Sequence, residues 1–296
     1  MKIYSIIACY YPDVSALELM VKKLLSSQSC VIIVDNSEGV PVSQCINFKD
    51  CTIVPMGTNT GIAHAQNVGI RLAITQKADV IVFFDQDSEI EDDFLSTLLY
   101  PLMPGKPGVV APIYYDKVRG YEFPAMKLNS FGTLSKVYRD YNSVFYPVDV
   151  VISSGMAVTK ETFEVVGLMD EEFFIDFVDT EWCLRCRSKK VEILMVSTAT
   201  MVHSIGDSSR NLGFMNIFVH SPIRSYYQIR NSFHFLKKKH VPLLLGLKEF
   251  LSLLLHHIIG LIFLKDRKAY LIQYFHAVRD GILGIYGKKS EVEIIK

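Results

Sequence analysis

Residues 80–88 read Val80-Ile81-Val82-Phe83-Phe84-Asp85-Gln86-Asp87-Ser88. Five apolar residues, β-branched or aromatic, describe a strand buried on both faces. Two carboxylates then follow, one residue apart, where that strand must end. In an open α/β sheet, ligands bind beyond the carboxyl ends of the strands. An Asp-x-Asp at that place offers hard oxygen ligands to Mg²⁺ or Mn²⁺, and such an ion can hold a diphosphate. Asp and Ser are also ordinary turn residues, so the same run fits a solvated strand-to-loop edge.

Working backwards, Lys2 to Cys9 is a first buried strand, broken by Tyr10-Tyr11-Pro12-Asp13. Leu17, Met20, Val21, Leu24 and Leu25 then recur at helical spacing up to about Ser27. Cys30–Val34 reads as a second strand ending in Asp35-Asn36-Ser37, and Thr52–Pro55 as a short third. Gly57-Thr58-Asn59-Thr60-Gly61 precedes a helix from about Ile62 to Gln76. Strands alternating with helices, with polar residues at the strand ends, imply a mainly parallel sheet wrapped by helices.

Working forwards, an acidic helix start leads to a helix ending near Leu102 and to a strand at Val109–Tyr115. Residues 116–146 are irregular and rich in Tyr and Phe, and read as a loop or hairpin region over the site. A strand at Val148–Ser153 ends in Ser153-Ser154-Gly155 and continues through Met156–Val158, and Lys160–Val166 is a short helix stopped by Gly167. A second acidic constellation follows: Phe174-Ile175-Asp176-Phe177-Val178-Asp179-Thr180-Glu181-Trp182, entering a helix to about Lys189. A strand at Val191–Val196 leads towards His203.

The chain has 296 residues, 50% hydrophobic and 21% charged, a globular composition with room for one or two domains. Its six cysteines lack disulfide-scaffold spacing and suit a reducing cytosol. No signal peptide is visible at the N-terminus. Net charge is zero but divided: residues 1–223 hold 18 Lys/Arg against 26 Asp/Glu, and residues 224–296 hold 13 against 5. A basic, apolar C-terminal region on an acidic body points away from nucleic acid and towards an anionic membrane surface.

That region reads as long helices. Val241–Leu264 is apolar over the ~20 residues a membrane span requires. Lys248, Glu249, Ser252, His256, His257 and Gly260 nevertheless form one polar stripe, which favours a helix lying in the interface. Packing on the core, or between copies in an oligomer, is the competing account. Tyr227, Arg230 and Asn231 share a helix face that either captures a lipid diphosphate or packs on the rest of the chain.

Taken in order, these motifs resemble family-2 glycosyltransferases of GT-A fold, most nearly bacterial rhamnosyltransferases that build cell-surface polysaccharides of O-antigen type. The carrying residues are Asp35-Asn36-Ser37, Asn59-x-Gly61 with Asn67-x-Gly69, Asp85-Gln86-Asp87-Ser88, Ser153-Ser154-Gly155, Gly167-Leu168-Met169-Asp170-Glu171, Phe174-Ile175-Asp176-x-x-Asp179-Thr180-Glu181-Trp182-x-x-Arg185 and His203. The resemblance spans roughly residues 3–235.

It implies a GT-A catalytic domain over 1–223, with a nucleotide-sugar half to about 110 and an acceptor half beyond, followed by a helical C-terminal region over 224–296. It implies a metal held by Asp85, Asp87 and His203, with Asp87 the stronger ligand. Tyr10 or Tyr11 would stack on the base and Asp35 would accept from it. Asn59, Gly61, Asn67, Gln86 and Gly155 would complete nucleotide-sugar binding. Inverting transfer needs a carboxylate base, and Asp179 fills that position; Val178 stands where the family pattern carries Glu. Asp176, Glu181, Trp182, Tyr227 and Arg230 would then meet the acceptor.

The expectation is therefore a metal-dependent, inverting transferase on the cytoplasmic face of the bacterial inner membrane. It would move L-rhamnose from dTDP-rhamnose to a polyprenyl-diphosphate-linked saccharide. A UDP- or GDP-sugar donor is the nearest alternative. A sugar nucleotidyltransferase would show a Gly-rich, basic loop after the first strand, where Tyr10-Tyr11-Pro12-Asp13 stands instead. A non-catalytic membrane scaffold is opposed by the intact Asp85, Asp87 and Asp179.

Overall fold

The computed structural model describes residues 1–44, 51–117, 120–202, 209–211, 216–218, 220–263 and 267–290. The chain runs β1 (Ile3–Cys9), α1 (Val14–Ser26), β2 (Cys30–Asp35), β3 (Cys51–Pro55), α2 (Ile62–Thr75), β4 (Val80–Asp85), α3 (Phe94–Leu99) and β5 (Val109–Asp116). Next come β6 (Tyr121–Phe123), β7 (Ala125–Leu128), β8 (Leu134–Val137), β9 (Phe145–Val148), β10 (Ala157–Thr159), α4 (Lys160–Val166) and α5 (Val178–Ser188). It closes with β11 (Ile193–Val202), β12 (Ser209–Asn211), β13 (Asn216–Phe218), α6 (Pro222–Lys237), α7 (Leu243–Phe263) and α8 (Arg267–Leu283).

The main sheet is ordered β3-β2-β1-β4-β10-β5-β11-β9, with β6 on the edge of β5. Strands β3, β2, β1 and β4 are mutually parallel, whereas β10 runs antiparallel to both β4 and β5. This is the expected mixed α/β sheet. Its connections run outward from β1 to β2 and β3, then return to the other side of β1 as β4. The order therefore reverses between β1 and β4, where ligands collect in such sheets. Register sets Asp35 beside Cys9 and Asp85 beside Ala8, so both acids end their strands on either flank of β1.

The strands that read as apolar runs are buried on both faces, with Ile6, Ile7, Ile32, Ile33, Val82 and Phe83 at most 1% exposed. Asp13 caps α1 by accepting from the Ala16 amide (2.9 Å), and Leu17, Met20, Val21 and Leu24 are its buried face. One expected element differs. Residues 149–156 are not a strand: β9 ends at Val148 and β10 begins at Ala157, with the Ser153-Ser154-Gly155 turn between them. The aromatic stretch 116–146 carries short strands, among them the β7–β8 hairpin built around Asn129 and Gly132.

The C-terminal helices are not a detached tail. Ser221 and Pro222 start α6 as N-cap and first-turn residue, and Phe235, Val241 and Leu245 join the main core. Helix α7 turns His257 (5% exposed) inward to Tyr274 Oη (3.2 Å), while Leu247, Leu251, Leu255, Ile258 and Ile262 point outward. The polar stripe of α7 thus lies partly against protein, and the apolar arc faces out. Among the described residues α7 is the one helix long and apolar enough to cross a membrane.

Candidate active site

The carboxyl ends of β1, β2 and β4 open onto a cleft of about 590 Å³. One wall carries Tyr10, Asn36, Glu38, Asn59, Gly61 and Asp85. The other is formed by Phe174, Arg224, Tyr227, Lys288 and their neighbours.

The Asp85-Gln86-Asp87-Ser88 turn is braced from behind. The Asp85 amide donates to Ser154 Oγ (3.2 Å), and Ser154 shares a hydrogen bond with Ser88 (2.9 Å). Gln86 accepts from the Tyr10 amide (2.7 Å) and donates to the Tyr10 carbonyl (3.2 Å), so its side chain fixes Tyr10 instead of reaching for a ligand. Gly155 (φ +74°) is dictated by packing: a Cβ there would sit 2.7 Å from Pro112 Cγ. Both residues were expected to touch the nucleotide sugar, and both support the turn. Asp85 lines the cleft, whereas the exposed Asp87 lines a neighbouring groove with Gln86, Glu89 and Met20.

Asn36, expected only as part of a motif, organises the opposite loop. Its Oδ1 accepts from the Thr60 amide (2.9 Å) and hydroxyl (2.8 Å), and its Nδ2 donates to Asn59 Oδ1 (3.2 Å) and the Gly61 carbonyl (3.2 Å). Gly61 (φ +86°) passes so close to Phe174 that a Cβ would lie 2.6 Å from its ring and carbonyl. The first amide of α2, on Ile62, donates to that same carbonyl (2.8 Å), so a protein group and not an anion takes it.

Two further expectations are corrected here. Asp35 is 1% exposed and accepts from the Ser37 (3.0 Å) and Val42 (2.7 Å) amides, which makes it a loop-shaping residue. Asn67 is equally buried and locks α2 to the 167–171 turn, exchanging hydrogen bonds with the Met169 backbone (both 2.9 Å) and donating to Glu171 (2.7 Å). Tyr10 and Tyr11 are exposed and meet edge to face at 4.7 Å, with Tyr10 lining the cleft.

The acidic constellation rests on a strained loop. Phe174, Asp176 and Phe177 all have φ between +61° and +65°, a conformation costly for residues with a Cβ. Asn231 holds it by donating to the carbonyls of Phe173 (2.7 Å) and Ile175 (2.6 Å), and Arg230 donates to that of Phe173 (3.2 Å). Asp179 lies in the first turn of α5, accepting from the Thr180 (2.8 Å) and Ser153 (3.3 Å) amides. Burial pushes its carboxyl up to about 6, and the charges of Asp85 and Asp176 add to that, against the lowering effect of the two amides. Asp176 pairs with Arg224 (3.2 Å).

Glu181 and Trp182 do not face an acceptor. Glu181, 1% exposed, is gripped by Arg185 (3.0 and 2.8 Å) and His240 (2.7 Å), which hold its carboxyl below the usual range against the upward push of burial. Trp182 is fully buried, donates to the Gly167 carbonyl (2.9 Å) and packs on Phe163. Arg230 is 1% exposed and spends its guanidinium on carbonyls of Glu172, Phe173 and Gly287, so it captures no lipid diphosphate. Tyr227 stacks on Phe174 at 4.6 Å and lines the cleft with its ring.

His203 lies outside the described residues. Asp170, Glu172 and His234 converge closely enough to ligate a metal, but the Lys238 ammonium already sits 2.5 Å from Asp170. Hydrogen bonds from His234 and Lys238 hold Asp170 well below the carboxylate range, despite burial, and the group ties the 170–173 turn to α6. Sequence reasoning missed Glu38, Lys288 and Lys289 in the cleft lining. The one available signal was Gly284 and Gly287 as breakers directly ahead of the Lys pair.

Comparison with known proteins gives the fold and family. The structure is similar to that of GalNAc-T7 solved with UDP, GalNAc and Mn²⁺, with TM-score 0.57 and 13% identity over 97% of this chain and 58% of that one. It is also similar to S. aureus TarS residues 1–349 solved with UDP-GlcNAc, with TM-score 0.55 and 15% identity over 96% of this chain and 82% of that one. In sequence the chain is 36% identical to the dTDP-rhamnosyl transferase RfbF of Shigella flexneri, over 96% of its own length and 97% of the relative's. It is 24% identical, over 62% of each chain, to the low-salt glycan biosynthesis hexosyltransferase Agl10 of Haloferax volcanii. The family model "Glycosyl transferase family 2" matches residues 5–167, the stretch that builds the strand-end wall of the cleft and its bracing turn. This chain is a glycosyltransferase and belongs to family 2.

Proposed function

We propose that the chain transfers L-rhamnose from dTDP-rhamnose, with inversion, to a lipid-linked saccharide in cell-surface polysaccharide synthesis. The donor assignment is supported by the near full-length relationship to a dTDP-rhamnosyl transferase. The observation that carries the chemistry is Asp179, a partly buried carboxylate at a helix start, which burial raises to about 6 with the charges of Asp85 and Asp176 adding to it.

In this mechanism the donor lies in the cleft with Tyr10 against the base and Asn36 and Asn59 holding the loop beneath it. Inversion is a single displacement, so the acceptor hydroxyl must lose its proton as it attacks. Asp179 takes that proton: a pKa near 6 leaves it ionised at neutral pH yet more basic than an ordinary Asp. The Ser153 and Thr180 amides fix its orientation. Asp85, which lines the cleft at the tip of β4, and Asp87, two residues further on, offer the hard carboxylate oxygens that would hold Mg²⁺ or Mn²⁺. Such an ion supplies Lewis-acid neutralisation of the leaving diphosphate.

Membrane attachment is part of the same reading. The outward Leu and Ile arc of α7, with Arg267 and Lys268 exposed just beyond it, suits an anionic bilayer surface such as the cytoplasmic leaflet. The polar groups Glu249, His256 and His257 on its other side favour a helix lying on that surface. A concentration-dependent dimer would instead assign the arc to a second copy.

The testing experiment is thermal shift with dTDP-, UDP- and GDP-sugars, each with and without Mn²⁺, followed by transfer assays with the donor that binds. A metal-dependent shift confined to dTDP-rhamnose is expected. A shift with a UDP- or GDP-sugar alone keeps the transferase and discards rhamnose.

A further inference from the structure

Charge is divided unevenly between the two walls of the cleft. Residues up to 85 supply its lining with two carboxylates, Glu38 and Asp85, and no cation. Arg224, Lys288 and Lys289 all come from the C-terminal region. A nucleotide sugar carries its negative charge on the diphosphate, which carboxylates alone would repel.

The segment following α8 fixes where those cations stand. Gly284 (φ +73°) and Gly287 (φ +80°) turn the chain back towards the cleft. The Gly287 amide donates to the Glu172 carbonyl (2.8 Å), the buried Arg230 donates to the Gly287 carbonyl, and the Lys289 amide donates to Tyr227 Oη (3.0 Å). The Lys289 ammonium points into protein, donating to Gln273 (2.5 Å) over the Tyr226 ring. Lys288 is exposed, and its ammonium reaches across to Thr58 Oγ1 (2.9 Å) on the opposite wall. Arg224 is engaged with Asp176.

We propose that Lys288 is a donor-binding residue whose ammonium contacts the diphosphate of the nucleotide sugar, so that the far C-terminal part of the chain completes the donor site. The proposal rests on the reading of this cleft as the donor site. A four-carbon stem lets the ammonium exchange a neutral hydroxyl for a phosphate oxygen, and the charge-assisted bond is the stronger one. The strained 173–177 loop and the 287–289 segment share Arg230 as a support, which couples the segment carrying Lys288 to the loop that leads into α5 and Asp179.

The test is titration calorimetry of the full chain with dTDP and Mn²⁺, at low and high salt, for wild type, Lys288→Ala, Lys288→Arg and Thr58→Val. Lys288→Ala should raise Kd about tenfold at low salt, the scale of one charge-assisted hydrogen bond, and less at high salt. Lys288→Arg should keep most of the affinity, and Thr58→Val should leave it nearly unchanged. Wild-type-like binding by Lys288→Ala overturns the proposal. So does an equal, salt-independent loss in all three variants, which would make the contact a docking point for the segment. If wild type binds no nucleoside diphosphate at all, the reading of the cleft falls together with the proposal.

Discussion

One wall of the cleft is built from loops at the ends of parallel strands, and the other from helices that pack as a group on the catalytic core. In the first wall, Asp85, Asn36 and Asn59 sit within a few residues of apolar strands whose burial fixes them. Their positions follow from local chain geometry. In the second wall, Tyr227, Arg224 and Lys288 depend on contacts spanning more than 45 residues, such as Arg224 to Asp176 and Arg230 to Gly287. The first wall holds the acids and the second the cations, and on the proposed reading the donor binds where both meet. Loss of the first should abolish chemistry, and damage to the second should weaken donor binding or stability.

The largest expected effect belongs to neither wall but to Asp179→Asn, at the start of α5. Removing a general base costs on the order of 10²–10⁴ in rate, and donor affinity should stay within a few-fold. Near-normal turnover in this variant would move the base to Asp176. Next in size is Trp182→Ala, which should cost about 3–5 kcal/mol of stability by emptying a core site, with the refolded protein still binding donor. Thermal unfolding with and without dTDP checks both halves of that statement.

The raised Asp179 carboxyl gives two pH signatures. As a base it works ionised, so kcat/KM should rise with pH through about 6 and then level off. For stability the sign is opposite. A folded pKa above the unfolded value of 3.8 favours the protonated folded state, so this contribution is full below pH 3.8 and is lost as pH rises to about 6. Asp179→Asn should therefore stabilise the protein at pH 7.5 relative to wild type and erase the advantage near pH 3.5. Equal unfolding temperatures at both pH values would contradict the raised pKa.

The smallest effect tests the outer face of the second wall. Leu251→Ser combined with Leu255→Ser removes two exposed apolar groups from α7 and should weaken binding to anionic vesicles about tenfold or more. Transfer to a water-soluble acceptor should be unaffected. Unchanged vesicle binding would detach α7 from the membrane role.

What the amino-acid sequence determined was the strand-end wall. The apolar runs 3–9, 30–35 and 80–85 and the helical spacing of 17–24 define a sheet with its acids at the strand tips, because burial periodicity is a local property. The Asp85-x-Asp87 turn was legible for the same reason, whereas Asp179 was singled out by its place at a helix start and by the family resemblance. Tertiary structure alone decided which polar residues face the cleft. Asp35, Asn67, Glu181, Trp182 and Arg230 bear the right chemistry at the right spacing, yet each is used up by backbone groups or by a buried partner. A buried polar group must be satisfied, and its partners here lie as many as 102 residues away. The orientation of α7 and the approach of Lys288 to Thr58, across 230 residues, depend likewise on how whole helices pack, which no local pattern encodes.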